Sequence, residues 1–193
     1  MLKKYLLPLF AMLLLAGCQA PSNTLSIEPV MKLPSADPTL GAATISITGV
    51  DKRPSQTLAE FSRNGQLAQL RPSRDLRFLM QETLEKQMTA RGFMIGSPAN
   101  ANVQISINTF KADVQEGSLR HNITVNIDIT VLATAQNNST KSRTFRTSYN
   151  VQGPLNASNE KITDAFNRAL SDIVADMAQD TQISQFIKQN TRY

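Results

Sequence analysis

Cysteine, histidine and tryptophan are almost absent from this sequence, which has one cysteine, one histidine and no tryptophan. A disulfide needs two cysteines, so the folded chain holds together without an internal one. The usual zinc sites combine several cysteine and histidine ligands. One cysteine and one histidine are too few for such a site. The sequence therefore predicts no metal and no other cofactor. The scarcity of tryptophan and tyrosine also disfavours a sugar-binding site, in which sugar rings stack on aromatic side chains.

A strong positive charge is also missing. The formal net charge is +5, and two of the basic residues, Lys3 and Lys4, belong to an N-terminal leader. Proteins that bind nucleic acid carry a clustered basic patch. The basic residues of this chain are not clustered in that way, so we predict no nucleic-acid partner.

The N-terminus combines the two lysines with an apolar run and with the single cysteine. The run from Tyr5 to Leu15 is too short to cross a bilayer, which takes roughly 20 apolar residues. Small residues then precede Cys18. This order resembles a bacterial lipobox, in which the leader is cut between Gly17 and Cys18 and the Cys18 thiol carries a diacylglycerol. The alternatives are an uncleaved anchor or an ordinary secretory signal with an incidental cysteine.

Acyl chains on Cys18 would make the membrane itself a partner. Each buried CH₂ contributes roughly 0.8 kcal/mol to membrane binding. Residue 19 is glutamine, whereas an aspartate there resembles the signal that retains such lipoproteins in the inner membrane. By this resemblance, we expect the protein on the periplasmic face of the outer membrane.

Composition divides the chain into three parts. Residues 1–17 form the leader, residues 18–40 hold the lipidated cysteine and a proline-rich segment, and residues 41–193 form a single periplasmic domain. Segments rich in proline are extended, so residues 19–40 are predicted to be a tether. The alternative is that a part of them, such as Leu25–Val30, lies along the domain as an edge strand.

Helical periodicity occurs in the stretches Leu76–Met88, Ile162–Met177 and, for one or two turns, Ile183–Ile187. Ser73 is the predicted N-cap of the first helix, and Gly92 is typical of the residue after a helix. Asn156 or Ser158 caps the second. Each main helix has one apolar stripe, so each must pack on something.

Strand periodicity, with apolar and polar residues alternating, occurs in four long stretches. These are Thr44–Val50, Ala101–Phe110, Ile123–Val131 and Arg143–Val151, with shorter strands at Leu67–Leu70 and Phe93–Ile95, whereas residues 55–66 are predicted to be a loop. Strands with one wet face are typical of antiparallel sheets. We therefore predict an α+β fold, a two-layer sandwich with two main helices on one face of a mostly antiparallel sheet, in the order β-α-β-β-β-β-α.

Nucleophilic catalysis would need a base in contact with a nucleophile. The residue types are present as Ser118, His121 and Asp128, but their spacing does not predict that contact. The Gly-x-Ser-x-Gly motif is also missing. The sequence instead favours a surface histidine at the start of a strand.

Three aspartates, Asp172, Asp176 and Asp180, stand four residues apart on the second helix. A cation would relieve their mutual repulsion. However, the calcium-loop pattern Asp-x-Asp-x-Asp-Gly is absent. We favour a solvated face that is balanced in part by Arg168.

The start of the first helix offers the best candidate for contact with a partner. Arg71, Arg74 and Arg77 cluster there, although cations at a helix N-terminus are slightly unfavourable. Phe78 lies opposite the apolar stripe, between the charges of Arg74 and Glu82, its i−4 and i+4 neighbours. Arg74, Arg77 and Phe78 are therefore a candidate contact for a partner. Alternatively, the tether or the loop of residues 55–66 covers Phe78.

Several longer stretches of the sequence carry a family resemblance. They are Leu15-Ala-Gly-Cys18, Pro72-Ser-Arg-Asp-Leu-Arg-Phe-Leu79, Glu85-Lys-Gln-Met-Thr-Ala-Arg-Gly92, Ala175-Asp-Met-Ala-Gln-Asp180 and Phe186-Ile-Lys-Gln-Asn190. Together they resemble the YajG family of bacterial lipoproteins over essentially the whole chain. The resemblance implies a lipid-anchored envelope protein of unknown molecular function. Cys18 is the one functional residue that it carries over.

Three functions remain open. The first is a non-enzymatic binding or envelope-assembly module, favoured because catalytic groups are scarce. The second is a hydrolase that uses carboxylates such as Asp51, Glu82 and Glu85. The third is a structural lipoprotein that binds peptidoglycan or lipid.

Overall fold

The computed structural model describes residues 23–40, 43–63 and 65–191, so the leader and Cys18 lie outside the described residues. These residues form strands β1 (Thr24–Leu25), β2 (Thr44–Asp51), β3 (Ala59–Arg63), β4 (Gln66–Pro72), β5 (Met94–Ile95), β6 (Ala101–Glu116), β7 (Arg120–Ala135) and β8 (Thr140–Pro154). The helices are α1 (Leu76–Arg91), α2 (Asn159–Gln179) and α3 (Gln182–Asn190), with a 3₁₀ turn at Pro38–Leu40.

Strands β6, β7 and β8 form a long antiparallel meander, in which β8 is an edge strand of the described sheet. Every second residue of β7, from His121 to Ala135, is buried, and the residues between them are partly exposed. The second set is mostly polar, with Asn122, Thr124, Asn126 and Asp128 among its members. The meander therefore buries one face and leaves the other wet, as the alternation predicted.

The remaining strands extend the sheet from the other side of β6. Strand β2 runs parallel to the first half of β6, and β3 pairs with its second half through Ala59 and Ala112. Strand β5 then pairs with β2, β4 with β3, and β1 with β4. The sheet is mixed, mostly antiparallel and open. The predicted α+β class, with helices on one face, is confirmed.

Local chemistry sets the ends of the two main helices. Gly92 ends α1 at φ 114°, in the left-handed region, as predicted. Ser158 caps α2 through a hydrogen bond that its Oγ accepts from the Lys161 N–H. Ser73, however, is not the cap of α1. Asp75 is, because its carboxylate accepts from the Arg77 N–H at 2.8 Å.

Of the two alternatives for residues 19–40, the structure favours the second for residues 23–40, which lie along the domain rather than in a tether, although only Thr24–Leu25 forms a strand. Leu25, Ile27 and Leu40 are each 1% exposed. The chain crosses α2, where the Val30 N–H donates to Ser171 Oγ at 2.8 Å, and continues to the end of α1, where the Asp37 N–H donates to the Arg91 carbonyl. We call residues 26–37 the strap. A proline-rich chain is extended whether it is free or packed, so its composition does not reveal these contacts.

The predicted loop of residues 55–66 also contains a strand. Ala59 and Phe61 of β3 are buried, whereas Glu60 and Ser62 are exposed. A tight turn that includes Gly65, at φ 76°, leads into β4. The alternation was too short to stand out from its polar surroundings.

Strand β2 and helix α1 approach closely at Gly49. A Cβ built on Gly49 would lie 2.4 Å from the Arg77 carbonyl oxygen. The Gly49 N–H also donates to Oε1 of Gln81 at 3.1 Å. A side chain at residue 49 would therefore push the start of α1 away from the sheet.

We expect Gly49→Ala to lower the free energy of unfolding by about 1–3 kcal/mol, because helix or strand must shift to admit the methyl group. Urea unfolding followed by circular dichroism measures this change. Gly96→Ala is the matched control, since a Cβ there would lie 3.6 Å from Thr44 Cγ2, an ordinary contact. Equal stability of the two variants would show that the approach at Gly49 is unimportant.

Candidate interaction surface on helix α1

Phe78 is uncovered. Its side chain is 60% exposed, whereas Leu76, Leu79, Met80 and Leu84 of the same helix are buried. Neither the strap nor residues 55–63 cover it. A large aromatic ring therefore faces solvent on a helix whose opposite side packs against the sheet.

Arg77 lies over the Phe78 ring, with its guanidinium carbon 5.4 Å from the ring centroid. The guanidinium also forms an ion pair with Asp75 at 2.6 Å. Hydrogen bonds from Arg77 hold the pKa of the Asp75 carboxyl below its usual range. Because Asp75 caps the helix, one carboxylate fixes both the helix start and the guanidinium on the ring.

A second ion-pair group lies beside the ring. Glu82 binds Arg74 at 2.8 Å and Lys86 at 2.7 Å. Hydrogen bonds from Arg74 and then Lys86 lower the pKa of the Glu82 carboxyl from 4.5 to about 2. The side chains of Arg74 and Arg77 remain 44% and 48% exposed.

We call Arg74, Arg77 and Phe78 the Phe78 patch. Arginine and aromatic residues are enriched where proteins bind one another. A guanidinium has five N–H donors, and Arg74 uses Nη2 for Glu82. The patch therefore combines an apolar ring with donors that suit a carboxylate. Arg71 lies apart from it, exposed in β4.

The three carboxylates of the hydrolase alternative bind donors of their own chain. Asp51 binds Arg53 at 2.7 Å, Glu82 binds Arg74 and Lys86, and Glu85 accepts from Gln81 at 2.9 Å. This arrangement lends no support to a paired acid and base.

The Ser-His-Asp set is not assembled. His121 is 3% exposed, which corrects the prediction of a surface histidine. Its Nδ1–H donates to the Leu155 carbonyl at 2.8 Å, and its ring packs against Gly153. Asp128 lies an odd number of residues away along β7 and so projects from the opposite face, where it binds Arg146.

The aspartate series of α2 also needs a correction. Asp180 ends the helix, and its carboxylate binds Arg143 of β8 at 2.8 Å. It does not belong to a solvated face with Asp172 and Asp176. Among the described residues, no three histidine, cysteine, aspartate or glutamate side chains come close enough to hold a metal ion.

Two buried polar residues of α1, Gln87 and Arg91, were not singled out from the sequence. Nε2 of Gln87 donates to the carbonyls of Lys32 and Val174 at 2.9 and 2.8 Å. Its Oε1 is buried without a partner in the described structure, beside a cavity of about 20 Å³. That volume suits one water molecule. The sequence signal was available, because both residues fall on the apolar stripe of α1.

Comparison with known proteins identifies the family. The model of a family described as uncharacterised lipoprotein matches residues 29–188. The chain is also 50% identical over 192 residues to the uncharacterised lipoprotein YajG of Escherichia coli K12, covering all of both chains, and equally to that of strain CFT073. The chain belongs to this lipoprotein family. The YajG resemblance predicted from the sequence is confirmed.

The fold of this lipoprotein also occurs in solved structures. Protein XCC0632 of Xanthomonas campestris superposes with a TM-score of 0.61 at 13% identity, covering 88% of this chain and 100% of that one. At such low identity the likeness concerns the fold alone. Among the described residues, no helix has both the length and the apolar character needed to cross a membrane.

The ion pairs of Glu82 predict a pH dependence of stability. Arg74 and Lys86 stabilise the carboxylate, so their contribution is complete above pH 4.5 and is lost as the pH falls toward about 2. Glu82→Gln should therefore lower stability above pH 4.5, and the difference from the unchanged protein should vanish near pH 2. Urea midpoints across this range measure it. Two parallel curves would contradict the assignment, and Arg74→Gln should reproduce part of the effect.

Proposed function

We propose that this lipoprotein is anchored by acyl chains on Cys18 to the periplasmic face of the outer membrane. There it works as a non-enzymatic binding or assembly module. The Phe78 patch is its contact surface for a protein partner. The observation that carries the proposal is the exposed Phe78 ring, fixed by Arg77 on a helix whose other large apolar side chains are buried.

The order of residues before Cys18 and the membership in a lipoprotein family support the anchor. Two or three acyl chains hold a protein on a bilayer without a transmembrane helix. Gln19 supports the outer membrane, because it is not the aspartate associated with inner-membrane retention.

We expect mass spectrometry of the protein purified from its own membranes to find an N-terminal Cys18 that carries diacylglycerol, with residues 1–17 removed. Cys18→Ser should keep the leader, because the peptidase acts on the lipidated cysteine. Fractionation of the inner and outer membranes measures in which of the two the protein resides. Gln19→Asp should move the protein to the inner membrane. An unmodified thiol in the native protein would overturn the anchor.

The geometry of the patch supports a protein partner that offers an apolar pocket with a carboxylate at its rim. Removing an aromatic side chain from water yields a large part of binding energy at protein interfaces. The two half-exposed guanidinium groups, of Arg74 and Arg77, both precede Phe78 in sequence and supply donors for the carboxylate. The buried side of α1 keeps the ring in place, so little ordering entropy opposes binding.

Photo-crosslinking in cells tests this surface. A crosslinking residue in place of Phe78 should capture one protein, and the same residue at Lys86, exposed on the same helix, should not. Capture at residue 78 should fall when Arg74→Ser and Arg77→Ser are added, because the carboxylate loses its donors. Capture that is equal at residues 78 and 86, or unaffected by the arginine changes, would contradict the proposal.

A stability measurement separates contact from folding. Phe78→Ala should change the free energy of unfolding by no more than about 1 kcal/mol, since the ring is mostly exposed. The same variant should lose co-purification of the captured protein. A large loss of stability would show instead that the ring belongs to the core.

A further inference from the structure

Three loops meet at one end of the domain. They are the β3–β4 turn, the β6–β7 turn and the β8–α2 connection. Arg63 donates to the Ala157 carbonyl at 2.9 Å, and the Glu116 carboxylate accepts from the Ala157 N–H at 2.8 Å. The Leu155 N–H donates to the Leu119 carbonyl at 3.0 Å. Direct hydrogen bonds thus hold the three loops together.

The β6–β7 turn and the β8–α2 connection each expose a leucine, and a third exposed leucine is the second residue of β4, just after the β3–β4 turn. Leu67, Leu119 and Leu155 are 65%, 77% and 68% exposed. We call this part of the domain the leucine end. Burial of apolar surface contributes about 25 cal/mol of stability per Å², and an exposed leucine side chain does not make that contribution. Three such side chains, two in adjoining loops and one at the start of β4, indicate a surface that meets something apolar.

Leu155 has an additional cost. Its φ is 59°, in the left-handed region, where a leucine is strained and asparagine or glycine is more readily accommodated. Its side chain contributes nothing to the core. The domain therefore keeps an apolar side chain at a position where neither packing nor backbone conformation favours it.

The chain enters the domain from the direction of the leucine end. Strand β1 is parallel to β4, with Thr24 beside Arg71, and the Arg71 N–H donates to the Asn23 carbonyl. Strand β1 therefore runs in the direction of β4, away from Gln66 at the start of β4. Gln66 adjoins the β3–β4 turn, one of the three loops of this end.

The distance from Cys18 to Asn23 limits where the bilayer can lie. Five residues reach about 17 Å at full extension. Asn23 is level with Ala59, which pairs with Ala112 of β6. From there to Ala101, at the opposite end of β6, the strand runs about 35 Å. An anchor at Cys18 therefore cannot draw the opposite end to the membrane, but it can reach the leucine end.

We infer that Leu67, Leu119 and Leu155 form a membrane-contacting surface, which seats the leucine end of the anchored protein on the lipid bilayer. The inference rests on the proposed lipidation of Cys18. Arg120, exposed beside Leu119, and Lys161, which donates to the carbonyls of Pro154 and Asn156, are placed to meet lipid phosphates. Glu160, Glu60 and Asp113 are exposed acids toward the same end.

The two turns at opposite ends of β7 offer a matched pair of probe sites, Ser118 and Ser139. Because the sequence has one cysteine, and lipidation consumes it, Ser118→Cys or Ser139→Cys creates a single free thiol. The lipidated protein, carrying a fluorescent label at one of these thiols, is reconstituted in vesicles of phosphatidylethanolamine and phosphatidylglycerol with brominated acyl chains. Quenching of the label by bromine reports its proximity to the bilayer.

We expect quenching at residue 118 to be several-fold stronger than at residue 139. Adding Leu67→Ser, Leu119→Ser and Leu155→Asn should remove most of the quenching at residue 118, while the protein still sediments with the vesicles. Leu155→Asn alone should not lower the urea midpoint, since asparagine tolerates the left-handed conformation. Folding is thereby separated from membrane contact.

The outcomes distinguish this inference from the proposal it rests on. A protein that carries no lipid and does not sediment with vesicles overturns the anchor, and the membrane surface with it. A protein that sediments but is quenched equally at both sites, or regardless of the leucine changes, overturns the membrane surface alone. So does a fall in oligomeric mass caused by the leucine changes, since the leucines would then join copies of the chain.

Discussion

The arrangement of the helices depends on one guanidinium buried at the end of α2. The last carbonyls of a helix have no partner within it. Nη2 of Arg91, on α1, donates to the carbonyls of Met177 and Ala178 in the last turn of α2 and to that of Asp180, the residue that caps it. Burial lowers the pKa of Arg91, and the charges of Asp180 and Asp37 oppose that shift. The Arg91 carbonyl also accepts from the strap, so a single residue joins α1, α2 and the N-terminal segment.

The same domain carries both proposed surfaces, the Phe78 patch and the leucine end. The Phe78 patch lies beside Gly49, which is paired with Ile105 of β6. From Ile105 to the end of β6 at Glu116 the strand runs about 35 Å. A protein that rests its leucine end on the bilayer would therefore hold the patch well away from the lipid, open to a partner in the periplasm. In that orientation the long meander would separate the patch from the bilayer, and the strap would keep residues 26–37 fixed on the domain.

Local sequence patterns predicted the helices and strands that are long enough to show a complete apolar periodicity. The stripes of α1 and α2, Gly92 after α1 and the alternation of β7 are all as the sequence indicated. Where distant contacts decide, the sequence left alternatives open or led to a wrong prediction. The strap is ordered by Asn167 and Ser171 of α2, more than a hundred residues away, and His121 is buried because β8 offers Gly153 opposite it.

The sequence by itself determined the α+β class and the position of Phe78 on the outer side of its helix, because both depend on neighbours along the chain. Only the tertiary structure decided that no described segment covers Phe78, that residues 23–40 belong to the domain and that Leu67, Leu119 and Leu155 share one end. Those facts depend on which segments pair in the sheet. Pairing is a matter of long-range contacts, and no local period encodes it.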